Sequence, residues 1–251
     1  MNRIVFFTGA GMSRESGLPT FRGDGGLWNQ LDVETVADRR SWYCGRRSDC
    51  NVRRQAMLDF FNPIRRLILE KEPNEGHHLI AELEKYFQVT IITQNGDDYH
   101  ERAGSTDVIY LHGEALKNAS TANPCRWYDI NRVNPDIHIG DKASDGSQLR
   151  PYIIYFGENI EQPIWKRAVE ATKSADIFVI VGSTMLVFPA ADLLKMLPAN
   201  CKLYIIDPQE VQLPNGCYHK FEHIRLGACE GIKFLAKQLD DMLNDFSNSM
   251  E

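Results

Sequence analysis

No two cysteines of this chain form a CxxC pair. The six cysteines (Cys44, Cys50, Cys125, Cys201, Cys217 and Cys229) are scattered. A four-thiolate zinc site needs closer pairing than this. Scattered cysteines behind no visible leader are expected to be reduced thiols in a cytoplasmic setting. Cys44 and Cys50 by themselves supply half the ligands of a structural zinc, so no metal is expected. Long apolar runs are also missing. Nothing approaches the roughly 18 residues that span a bilayer, so no membrane partner is expected. The N-terminal run "RIVFFTGAG" is too short for a signal sequence and ends in glycine, so it reads as a first buried strand. Basic excess is absent too. The 28 Lys and Arg face 34 Asp and Glu, a formal charge of -6. The whole chain therefore carries no electrostatic footprint for nucleic acid. One basic cluster, "DRRSWYCGRRSDCNVRR" at 38–54, reads as a solvated loop or helix face in preference to a polyanion site. No internal repeat or low-complexity tract is present.

What remains is an ordinary globular composition. With 251 residues and 43% hydrophobic content, the chain can bury one sizeable core. Four apolar, β-branched segments read as buried parallel strands: "RIVFFTG", "VTIITQN", "IFVIVGS" and "LYIIDP". Helical patterns alternate with them: "RRQAMLDFFNPIRRLILEK", "NEGHHLIAELEKYF", "WKRAVEATKSA", "AADLLKML" and "GIKFLAKQLDDMLNDF". This alternation predicts an α/β fold with a central parallel sheet and helices on its faces. Ligands of such sheets bind beyond the carboxyl ends of the strands. Two stretches break the rhythm, at about 24–70 and 115–150. Segments that long and irregular are functional or form a small module.

The strand ends carry the polar groups. The first strand runs into "TGAGMSRESGLPTFRG". Gly9 and Gly11 allow close backbone approach, and the helix start behind them offers N–H groups to a diphosphate. The spacing is not GxGxxG, and a plain strand-to-helix turn explains it equally well. Phe21 and Arg22 favour the ligand reading, as an aromatic cover and a phosphate partner. The second strand ends in "TQNGDDYHERAG", which presents Gln94, Asn95 and Asp97. His112 follows in "LHGE" at another strand end. A lone histidine there is usually structural, but its neighbours favour a general base. Gly182, Ser183 and Thr184 lie at a third strand end, where they can bind phosphate or ribose and also cap a helix.

Together these motifs resemble the sirtuins, the NAD-dependent protein deacylases. The resemblance rests on "GAGMSRESGLPTFRG", "TQNGDDYHERAG", "LHGE", "RPYIIYFGE" and "GSTMLVFPAA", in the family's order. It covers the chain from Val5 to about Leu239. It implies a single catalytic domain over 1–251, with a Rossmann-like sheet and a smaller module built from the two insertions. NAD would lie between them. Gly9, Ala10, Gly11, Phe21 and Arg22 match the cofactor loop. Gln94, Asn95 and Asp97 match the ribose and nicotinamide pocket. Gly182, Ser183 and Thr184 match the phosphate and adenosine side, with Ala228 among the cofactor contacts. His112 matches the catalytic base, and Asn95 is placed with it. The implied partner is an acylated lysine peptide or protein, added as a strand between Phe156, Gly157, Glu158 and Leu186, Val187, Phe188. The acyl oxygen attacks C1′ of the nicotinamide ribose, and nicotinamide leaves. His112 then activates a ribose hydroxyl, and the products are free lysine and O-acyl-ADP-ribose.

Several residues depart from the family's pattern. Only Cys125 stands where many sirtuins carry four zinc cysteines. Sirtuins that remove acidic acyl groups carry Tyr and Arg on the insertion helix; Phe61 and Ile64 occupy those places here. A one-residue shift would put Asn62 and Arg65 there instead. Phe61 and Ile64 imply an apolar acyl pocket, suited to acetyl or longer fatty chains. Pro63 is expected to break or kink that helix. Gly96 replaces a branched residue beside the nicotinamide, which predicts a void. On that reading Gly96→Ile would tighten nicotinamide inhibition, and water admitted by the void would make the chain an NAD glycohydrolase or ADP-ribosyltransferase. A catalytically eroded binder is the remaining alternative. His100 reads as a structural residue.

Overall fold

A computed structural model describes residues 2–20, 33–45 and 47–248, with backbone alone for 33–34 and 241–248. Phe21 and Arg22 lie outside the described residues. The chain begins with β1 (Arg3–Thr8) and the short α1 (Ala10–Arg14). Three helices follow: α2 (Val33–Val36), α3 (Arg39–Trp42) and α4 (Cys50–Glu70). Then come α5 (Glu75–Leu83), β2 (Gln88–Thr93), α6 (Tyr99–Arg102) and β3 (Val108–Tyr110). The next strands are β4 (Gly113–Ser120), β5 (Trp127–Asp129) and β6 (Leu149–Ile153). The chain closes with α7 (Gln162–Lys173), β7 (Ile177–Val181), a 3-10 helix (Ala190–Met196), β8 (Lys202–Ile206), β9 (Phe221–Ile224) and α8 (Ala228–Asn248).

The large sheet has six parallel strands in the order β3-β2-β1-β7-β8-β9. The alternating side chains of β1 explain its central place. Ile4 and Phe6 pack toward α5 and α8 on one face. Val5 and Phe7 pack toward α7 and the 3-10 helix on the other. Both faces are covered, so the strands read as continuous apolar runs. The order reverses between β1 and β7, and a crevice opens there at the carboxyl ends. The α/β architecture expected from the sequence is present. Two strands lie beyond the four apolar segments, β3 and β9, and β9 is a largely exposed edge. "AADLLKML" forms a 3-10 helix rather than an α-helix.

The smaller module joins α2, α3 and α4 to an antiparallel sheet of order β5-β4-β6. Trp42, Met57, Leu58, Phe61, Ile137 and Tyr155 form its core. Pro63 does not break α4, which runs unbroken for 21 residues. Proline there removes the hydrogen bond to the Asp59 carbonyl, but both residues face solvent, so water replaces the bond at little cost. Cys44 and Cys50 are joined in a disulfide at the start of α4. The expectation of reduced thiols fails for this pair, and sulfurs bonded to each other are not metal ligands. Cys125, Cys201, Cys217 and Cys229 are free. Most of the arginines in the basic cluster are engaged locally: Arg40 with Asp38, Arg47 and Arg53 with Asp49, and Arg54 with the Trp42 carbonyl.

Polar staples hold the module together. Arg65 is fully buried and donates to Asn118 Oδ1 at 2.7 Å, the Lys117 carbonyl at 2.7 Å and the Pro135 carbonyl at 3.0 Å. Asn62 bonds both the carbonyl and the N–H of Ile137. Arg150 meets Glu158 with two bonds, at 2.6 and 2.9 Å, and its guanidinium lies 3.9 Å from the centre of the Tyr155 ring. Glu158 in turn accepts from the Tyr155 N–H at 2.8 Å. Glu158→Gln leaves a buried cation without its counter-charge, and is expected to lower stability by about 3 kcal/mol in urea unfolding.

Candidate functional site

A cleft of about 890 Å³ lies between the large sheet and the small module. One wall is the close contact of the β1–α1 turn with the end of β7. Gly9 N–H donates to the Val181 carbonyl at 3.0 Å, and Gly11 N–H to the Gly182 carbonyl at 2.9 Å. A Cβ on Gly11 would lie 2.5 Å from Gly182 Cα, and Gly182 itself has a φ of 59°. Only glycine fits such an approach. These two N–H groups are therefore engaged by the end of β7. Ala10 and Arg14 also line this wall, with Ser183 and Thr184 opposite. Arg14 puts a cation there.

The strand ends supply the polar floor. Asn95 Nδ2 donates to the Gly9 carbonyl at 2.9 Å and to Ser13 Oγ at 3.2 Å. Ser13 Oγ donates to Asp97 Oδ2 at 2.8 Å. Asp97 is 4% exposed and stands behind the wall rather than on it. Burial pushes its carboxyl up to about 6, against the hydrogen bonds from Ser13 and the Tyr99 N–H. Ser183 Oγ donates to Gln94 Oε1 at 2.8 Å, tying β7 to β2. His112 sits between β3 and β4 on the cleft wall. Burial lowers its pKa, opposed by the ring N–H that donates to the Gln94 carbonyl. The imidazole is thus neutral at neutral pH, with its second nitrogen available to take a proton.

The small module supplies the apolar end: Phe60, Phe61, Ile153 and Tyr155 line it. Phe156, Gly157, Glu158, Val187 and Phe188 form the mouth, where Phe156 and Phe188 are 43% and 59% exposed. Gly227, Ala228, Asp207 and Gln209 close the far end beyond β8.

A match to the Sir2 family spans residues 9–189. The chain belongs to the Sir2 family. A Bacteroides thetaiotaomicron protein named NAD-dependent protein deacylase is 44% identical over 242 residues, covering 95% of this chain and 98% of its own. A Helicobacter pylori protein of the same name is 43% identical over 209 residues, covering 83% and 84%. Among solved structures, a Sir2 homologue in complex with NAD superposes with a TM-score of 0.79 at 30% identity, covering 96% of this chain and 90% of that one. A Sir2 protein bound to an inhibitor, 2′-O-acetyl-ADP-ribose and deacetylated p53 peptide gives 0.71 at 26% identity, covering 94% and 93%.

Within this Sir2 fold, most of the residues singled out by sequence converge on one cleft. Three lie apart from its wall: Asp97 behind it, Leu186 on the surface, and Ile64 packed among module residues. Phe60 lines the cleft and Ile64 does not. Asn62 and Arg65 do not point a polar pair at the cleft, because both are committed to β4 and the 130s loop. The expected void at Gly96 is also absent. A Cβ there would meet Ala115 N at 3.1 Å, Ala115 Cβ at 3.2 Å and Ile153 Cδ1 at 3.3 Å. Ile153 from β6 already fills the space that a branched residue would occupy. Sequence patterning does not single out Ser13, Phe60 or Ile153. Ser13 lies inside the glycine motif with nothing of its own to mark it.

Two outcomes are expected in this Sir2 site. Gly96→Ile should weaken nicotinamide inhibition rather than tighten it, and cost about 1–3 kcal/mol in urea unfolding, because it overpacks against Ala115 and Ile153. Titration of the His112 ring by NMR should give a midpoint below the ordinary value of about 6.5. A lowered pKa means that protonation, and loss of the base, occurs only at more acidic pH.

Proposed function

We propose that this NAD-dependent protein deacylase of the Sir2 family removes acetyl and longer apolar acyl groups from lysine, releasing nicotinamide and O-acyl-ADP-ribose. The observation that carries this reading is the composition of the acyl end of the cleft. Phe60, Phe61 and Ile153 line it, and the arginines of the adjacent stretch of α4 are spent elsewhere. Arg65 is bound to Asn118 and two carbonyls, and Arg66 to Asp136. Among the described residues no cation lines this end of the pocket, so an acyl carboxylate would enter it unpaired, at a cost of several kcal/mol.

NAD, when bound, supplies a ribose carbon to the acyl oxygen and nicotinamide as the leaving group. The cleft fits it in size and in donor set. Gly182, Ser183, Thr184 and Arg14 suit the phosphates. Ala228, with Gly227 and Asp207, suits the adenosine end. Gln94 and Asn95 orient the nicotinamide ribose, with Asp97 holding Asn95 in place through Ser13. Neutral His112 takes the proton of a ribose hydroxyl. Phe156, Gly157 and Glu158 on one side, and Leu186, Val187 and Phe188 on the other, receive the peptide backbone as an added strand, which tolerates varied sequences. Phe61 and its neighbours exclude water from the acyl chain.

We read residues 1–251 as one catalytic domain of a type without structural zinc. Between 115 and 150 the sequence holds Cys125 alone. The staples from Arg65, Asn62 and Arg66 hold the loop that four thiolates would otherwise organise, and Gln148 ties it at Gly140 and His138.

The deciding experiment is nicotinamide release measured with and without a panel of acetyl, fatty acyl and succinyl peptides. Release should require an acyl peptide, favour apolar acyl groups at least about tenfold, and fall about 100-fold or more in His112→Ala. Equal turnover without peptide would identify a glycohydrolase and end this reading. Preference for the succinyl peptide would overturn the apolar pocket alone.

A further inference from the structure

Two buried histidines lie outside the cleft. His100 is 1% exposed and His77 is fully buried. Burial takes His100 down to about 3 and His77 to about 2, so both rings are neutral. Their rings meet edge to face with centroids 4.8 Å apart. A buried polar ring is costly unless it is hydrogen-bonded, and each of these rings bonds through one nitrogen, His100 through Nε2 and His77 through Nδ1.

The bonds of His100 lead to the site. Its Nε2 lies 3.2 Å from Thr8 Oγ1. Thr8 Oγ1 donates to Thr93 Oγ1 at 2.9 Å, and the Asn95 N–H donates to the same Thr93 oxygen at 3.1 Å. Thr8 and Thr93 are the last residues of β1 and β2, are register partners, and are fully buried. With its proton given to Thr93, Thr8 accepts from His100, which puts the ring proton on Nε2. On the other side of the ring stands His77, whose Nδ1 lies 3.0 Å from Asn74 Oδ1. Asn74 in turn donates to the Met12 carbonyl of α1 at 2.8 Å. The His100 ring is therefore gripped between α5 and the strand ends that carry Asn95.

We infer that His100 is a positioning residue for Asn95, acting through the buried hydroxyls of Thr8 and Thr93 to fix the backbone from which the Asn95 amide reaches Gly9 and the cleft. The inference rests on the role given to Asn95 under the proposed function. Chains of hydrogen bonds in a dry interior polarise one another, and a shift of about 1 Å in a reacting group costs about 100-fold in rate. The competing explanation is that the imidazole merely fills volume. The two differ in what an isosteric or polar replacement does. Thr8→Val keeps the volume and cuts the chain, and Thr8→Ser keeps the hydroxyl. His100→Phe keeps a ring, and His100→Gln keeps a polar group near the place of Nε2.

The test is steady-state nicotinamide release on an acetylated peptide for these four variants, with thermal unfolding alongside. Thr8→Val and His100→Phe should lower kcat about tenfold or more with the peptide KM within about twofold, and Thr8→Ser and His100→Gln should recover most of the loss. Rates within twofold of wild type for Thr8→Val and His100→Phe, or a loss that Ser and Gln do not recover, overturn the inference. Should His100→Phe not fold, the Thr8 pair decides alone. A readout independent of activity is hydrogen exchange of the Asn95 amide, expected to quicken at least about tenfold in Thr8→Val; unchanged exchange also overturns the inference. If wild type itself shows no acyl-dependent release, the deacylase reading fails, and the exchange result still decides the role of His100.

Discussion

The backbone contact between the β1–α1 turn and the end of β7 is the constraint on which the site depends. Gly9, Gly11 and Gly182 approach so closely that a Cβ on any of them would overlap the opposing chain. The contact sits at the carboxyl ends of the two central strands, where the strand order reverses. It brings the ends of β1, β2 and β7 into one plane. Gln94, Asn95 and Ser183 then fall within hydrogen-bond reach of one another or of their shared neighbours. His112 reaches the same floor from the β3–β4 turn. The glycines thus do less for a ligand directly than for the packing that shapes its cleft.

The small module follows a different logic. Its apolar core is modest, and its long loops are held by polar side chains with many donors. Arg65 and Arg150 each tie several carbonyls or a carboxylate from inside the module. A guanidinium suits this task because its five donors spread in a plane and bridge separate segments. The same commitment leaves Phe60, Phe61 and Ile153, among the described residues, to line the apolar end of the cleft. Stability of the module and the apolar lining of the cleft are therefore coupled through α4.

Much of the fold was legible in the sequence because buried parallel strands leave a strong signature. The four longest strands of the large sheet appear as apolar runs, and the polar residues after them mark the ligand edge. Strand β9 was not legible, since "FEHI" lies at a sheet edge and alternates too little to declare itself. Pro63 misled because the rule against proline in helices assumes a costly lost bond, and on an exposed face water replaces it. Gly96 misled for a related reason. A missing side chain predicts a void only if no other element fills it, and Ile153, more than 50 residues away, does so. The Cys44–Cys50 bond depends on the α3–α4 turn, which spacing alone does not disclose.

The sequence by itself determined the class of fold, the family and the set of polar residues at the strand ends. Each of these is written in local pattern: apolar runs, glycine turns and short motifs. Only the tertiary structure decided which of those residues face the cleft, which stand behind it, and what holds them. Asp97 proved to be a buried partner of Ser13, Ile64 a packing residue, and His100 the end of a hydrogen-bond chain to Asn95. These distinctions arise from contacts between segments up to 92 residues apart. A chain of amino acids does not announce such contacts until packing places the segments together.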